Sequence, residues 1–81
     1  MPNLEHELEQ LAAADRHIER AEFFVAQLRN ARQVQHARGL NVAAAEDTLQ
    51  AAVQTLDVFL LHRRLIREII DDLRAGRLPG D

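Results

Sequence analysis

The 81-residue chain is predicted to be all-α, an antiparallel hairpin of two long helices, with two hairpins expected to pair as a four-helix bundle. Three observations carry this prediction. The composition is 47% hydrophobic and 28% charged with only 3 Gly and 2 Pro, and Ala, Leu, Glu, Gln and Arg, all good helix formers, dominate it. One interior helix-breaking signal, Arg38-Gly39-Leu40-Asn41, separates two long segments. Both segments repeat apolar residues at heptad spacing.

The first helix is expected over about residues 4–37. Its heptad seam has Leu4, Leu11, Ile18, Val25 and Arg32 at a, and Ala14, Ala21 and Leu28 at d. The turn over 38–41 supplies its own chemistry. Gly39 can adopt the left-handed conformation that ends a helix, Leu40 can fold back on Val34, and Asn41 can cap the next helix. The second helix is expected over about 42–75. It has Val42, Leu49, Leu56, Arg63 and Ile70 at a, and Ala45, Ala52, Phe59, Ile66 and Leu73 at d. Each helix begins with acids and ends with arginines, as its macrodipole favours. Gly76 and Pro79 then stop the second helix, leaving 76–81 as a flexible tail of the single 1–81 domain.

Folding the chain back at residues 38–39 sets a against d along the whole length. Leu4 meets Leu73, Leu11 meets Ile66, Ile18 meets Phe59, Val25 meets Ala52 and Leu28 meets Leu49. On the flanks this register brings Arg29 near Glu46, Asp15 near Arg67 and His17 opposite His62. Arg63 falls in the seam opposite Ala14, from where its head can reach out to a carboxylate such as Asp15.

The apolar face is wider than a two-helix seam requires. Phe24, Val53, Leu60 and Ile69 occupy e or g positions, with Phe23, Leu61 and Leu65 further around. Adjacent helical residues point about 100° apart, so Phe23 and Phe24 cannot both enter one seam. Phe24 is expected in the core or a dimer interface, and Phe23 in an outside contact. An isolated hairpin would expose a long hydrophobic groove to water. A twofold dimer fills it, and so would a different protein offering one or two helices.

Several functions are disfavoured. Cysteine is absent, which removes disulfides and thiolate chemistry. Thr48 and Thr55 are the only hydroxyl side chains, and no Gly-rich phosphate loop occurs, so no catalytic residue is assigned. No cofactor is expected. No inward-facing Glu-x-x-His pair offers a bundle metal site. The facing His17 and His62 form a candidate pH-sensitive pair, or two boundary residues satisfied by neighbours. The net charge of −3 argues against non-specific nucleic-acid binding, and a single long hairpin does not form a helix-turn-helix. A local cluster of Arg63, Arg64, Arg67 and Arg74 keeps a weak nucleic-acid contact open as the alternative. The acidic start and the absence of an apolar run of about 18 residues point to a cytoplasmic protein without a membrane span, and the acidic charge also disfavours a membrane-surface helix.

The segments ADRHIERAE (14–22), RGLNVAAAEDTLQ (38–50) and LLHRRLI (60–66) resemble a group of small proteobacterial helical-hairpin proteins with an acid-Arg-His-Ile/Val opening and a Gly-centred turn. The sequence departs from that pattern at Asn41-Val42 and Phe23-Phe24. The group has no assigned activity, so the resemblance implies a hairpin and a bacterial source and carries over no functional residue. Arginine without lysine, together with abundant alanine, points the same way. The expected function is a non-enzymatic protein-protein interaction module, a small adaptor or regulator working as a homodimer. The further alternative is an obligate small subunit of a larger complex.

Overall fold

A computed structural model describes residues 2–79. Two helices, α1 (Leu4–Ala37) and α2 (Ala43–Arg74), pack along one another as an antiparallel hairpin. The rod measures 58 × 16 × 15 Å, and no strand occurs among the described residues.

The helix ends follow local chemistry. Asn3 has extended backbone, and its Oδ1 accepts a hydrogen bond from the His6 N–H at 2.8 Å. That satisfies one of the free donors of the first turn of α1, a contribution of about 1 kcal/mol for such a cap. At the other end Gly39 takes φ +73°. The Leu40 N–H then reaches the Gln35 carbonyl and the Gly39 N–H the His36 carbonyl, each at 3.0 Å, closing a Schellman motif.

The expected cap of α2, Asn41, is displaced: Val42 is the N-cap residue, without a side-chain cap bond, and Asn41 stands just before it. The Asn41 Oδ1 accepts from the Ala43 N–H at 2.9 Å, the short-range turn an Asn side chain forms with backbone two residues on. Val42 is thereby held outside the helix as its N-cap residue, with its carbonyl receiving the Glu46 N–H at 2.8 Å. The end of α2 repeats the first motif: Gly76 has φ +73°, and the Arg77 N–H bonds the Asp72 carbonyl at 2.8 Å. The Arg77 side chain also donates to Asp72 Oδ1 at 2.6 Å. Residue 1 of the expected domain, and 80 and 81 of its expected tail, lie outside the described residues.

Burial follows the heptad. Ala14, Ile18 and Val25 of α1 and Ile66 and Ile70 of α2 are buried. Leu11, Ala21, Leu28 and Arg32 are half-buried, as are Ala45, Leu49, Ala52, Leu56, Phe59, Arg63 and Leu73. Ala14, Ile66 and Ile70 form a continuous cluster with Leu11 packed against it. The spacing of three and four residues makes one stripe per helix, and the two stripes face each other. The seam is closed most tightly around Ala14, Ile66 and Ile70 and opens only at its last turn, where Leu4 is 37% exposed.

Candidate interaction surface

Two ion pairs cross the seam. Arg63 Nη1 donates to Asp15 Oδ1 at 3.2 Å, and Arg32 donates through Nε and Nη2 to Glu46 Oε1 at 3.1 and 3.0 Å. The expected reach of Arg63 to Asp15 is therefore present. The flank pairings are corrected: Glu46 is held by Arg32 rather than Arg29, and Asp15 by Arg63 rather than Arg67. An arginine at a seam position starts between the helices, so its stem crosses directly to the neighbouring helix. Arg29 and Arg67 start on the flank itself and stay exposed.

Both ion pairs lie on the same flank of the hairpin, defined by the b and e positions of each helix. This flank carries Glu5, Asp15, Glu19, Glu22 and Arg29 from α1, and Glu46, Asp57, Arg64, Arg67, Asp71 and Arg74 from α2. It also holds Val53, half-buried, and Leu60, exposed. Arg63, Arg64, Arg67 and Arg74 therefore do not form a continuous basic stripe. Arg63 is bonded to Asp15, and Asp57 and Asp71 stand one heptad to either side of Arg64.

The other flank, at the c and g positions, is different in kind. Its residues are 6, 10, 13, 17, 20, 24, 27, 31 and 34 of α1 and 44, 48, 51, 55, 58, 62, 65, 69 and 72 of α2, and only Arg20 and Asp72 among them are Asp, Glu, Lys or Arg. Asp72 is bonded to Arg77. Arg20 lines a shallow groove with Arg16, Glu19 and Phe23 on the outer side of α1. The two threonines here are satisfied within α2: Thr48 Oγ1 donates to the Ala44 carbonyl at 3.0 Å and Thr55 Oγ1 to the Ala51 carbonyl at 3.1 Å. Their methyl groups add to the apolar character of this side.

Large apolar side chains remain in water on both flanks and on the outer faces. Phe23 is 66% exposed, Phe24 51%, Val58 63% and Leu65 47%. Phe24 is thus surface, not monomer core, and it shares the uncharged flank with Val58, Leu65 and half-buried Ile69. The sequence-derived interface set is split by the fold: Phe24 and Ile69 fall on the uncharged side, Val53 and Leu60 on the charged side, and Phe23 on the outside of α1. Val58 escaped the sequence reading, although it stands one heptad before Leu65.

His17 and His62 share the uncharged flank but have different neighbours. The His17 ring centre lies 5.9 Å from that of Phe59. His62 lines a groove with His6, Glu7, Gln10, Leu65 and Ile69. Among the described residues no group of three or more metal-capable side chains converges, and no helix is long and apolar enough to cross a membrane.

The fold defines the chain as an antiparallel helical hairpin with unequal flanks. Comparison with protein-family models, with curated proteins and with solved structures finds no match.

Proposed function

We propose that the protein is a non-enzymatic interaction module whose hairpins associate in pairs as a four-helix bundle, and that it acts through protein contacts as a small adaptor or regulator. The observation that carries this reading is the excess of exposed apolar surface. Among the described residues only five are buried, while ten large hydrophobic side chains are exposed. A seam this thin supplies little of the burial that a domain of this size needs. Burying a side chain such as Leu or Phe contributes about 1.5–3 kcal/mol, so covering several of the exposed ones favours association. The outer faces of such a bundle, with Phe23 on α1 and Leu61 on α2, remain free to meet another protein.

Concentration-dependent unfolding tests the proposal. A self-associated bundle is stabilised by mass action, so its thermal midpoint rises with protein concentration. A midpoint that is the same at micromolar and submillimolar concentrations would refute self-association.

A further inference from the structure

Resting on this self-association, with a second copy covering the uncharged flank, we infer that His17 makes the contact acid-labile: its imidazole is neutral while covered, and protonation releases the copies. The uncharged flank is the side that a second copy can cover while burying few ions, whereas the opposite flank would bury acids and arginines whose desolvation opposes association. Its area also suits. A face 58 Å long and 16 Å across offers on the order of 900 Å² per copy, close to the roughly 800 Å² per partner of a stable interface.

Three of the four histidines, His6, His17 and His62, lie on this flank and are exposed in the single hairpin, where each is free to take a proton. Histidine is the side chain that ordinarily changes charge between pH 5 and 8. His17 differs from the other two in having no carboxylate on its side of the helix. Along α1 its neighbours one turn away are Ala13, Ala14, Arg20 and Ala21, with Arg16 next to it, while Asp15 and Glu19 belong to the charged flank. From α2 it meets the Phe59 ring at 5.9 Å, and the flank residues around that level, Thr55, Val58 and His62, bring no acid. His62 and His6, by contrast, line a groove with Glu7, and Asp72 near the open end is bonded to Arg77. A proton on His17 therefore adds a cation beside Arg16 and Arg20. Arg20 lines the groove on the outer side of α1, where its long stem keeps the charged head in water. The short imidazole, at a g position beside the seam, has no such way out of a covered face.

The direction follows from where the proton binds. It binds the free hairpin and is excluded from the covered face, so falling pH favours separation. An ordinary histidine so excluded weakens association about tenfold between about pH 7.5 and 5.5, and the two His17 rings of a dimer about a hundredfold together. Overall charge acts in the opposite sense. It rises from −3 by one for each of the four histidines, to about +1, so repulsion between whole molecules falls on acidification. Acid dissociation would thus report the local effect.

Light scattering over a dilution series at the two pH values, on wild type and on His17→Gln, reads the dissociation constant and tests this. Wild type is expected to dissociate about a hundredfold more readily at the lower pH, and His17→Gln to lose most of that shift. His36→Gln, at an e position by the turn, is expected to behave as wild type. A wild-type dimer equally tight at both pH values would overturn the inference and leave self-association standing. A single-chain mass at both would overturn the two together. Acid dissociation that persists undiminished in His17→Gln, or that disappears in His36→Gln, would remove His17 from the role. Should His17→Gln be monomeric at the higher pH, His17→Leu, uncharged and suited to a covered face, takes its place in the same comparison.

Discussion

Arg63 leaves the hydrophobic seam of α2 to place its Nη1 3.2 Å from Asp15 Oδ1 on α1, so the charge that interrupts the heptad also links the two helices at one fixed level. The pair is partly exposed, with side-chain exposures of 27% and 48%, which limits what it contributes to stability. Asp15→Asn is expected to cost less than about 1 kcal/mol in denaturant unfolding. Arg63→Leu should stabilise the hairpin by about 1 kcal/mol, because an apolar side chain suits that seam position. A loss of stability in Arg63→Leu would show that the ion pair outweighs burial here.

Gly39, like Gly76, sits where backbone conformation constrains the residue. Its φ of +73° costs a residue with a Cβ about 1–2 kcal/mol, although nothing stands within 4 Å of where that Cβ would be. Gly39→Ala should therefore destabilise by about 1 kcal/mol, and Gly39→Asn by less. Equal unfolding midpoints for wild type and Gly39→Ala would contradict this.

The seam should respond to truncation in proportion to burial. Ile18, 2% exposed, is expected to lose about 2–5 kcal/mol as Ile18→Ala. Phe23→Ala, on an outer face, should leave the unfolding midpoint within about 0.5 kcal/mol of wild type. Chemical denaturation of the two variants side by side reads this contrast directly.

The cap at Asn3 gives a local test. Asn3→Ala removes the acceptor of the His6 N–H and should cost about 1 kcal/mol. Hydrogen exchange should increase in the first turn of α1 and stay unchanged near Gly39.

Much of this fold is legible in the sequence because heptad spacing, Gly39 and Asn41 act locally and agree. Ile18, Val25, Ile66 and Ile70 are buried where their seam positions put them, and Gly39 ends α1 by the motif its position predicts. The ion-pair partners were less legible. Facing position numbers place Glu46 beside Arg29, whereas the length of the arginine side chain lets Arg32 reach it from the seam. Asn3 is legible as a cap from its place just before the first periodic residue, Leu4. The difference between the flanks is hidden in a linear heptad, where e and g both border the seam. Only antiparallel packing brings the g positions of both helices together, setting Phe24 and Ile69 on one side and Val53 and Leu60 on the other.

Self-association is the central claim, and solution mass tests it most directly. Light scattering after size exclusion, over a concentration series, is expected to give twice the 9.2 kDa chain mass. A mass of one chain at every concentration would contradict the account.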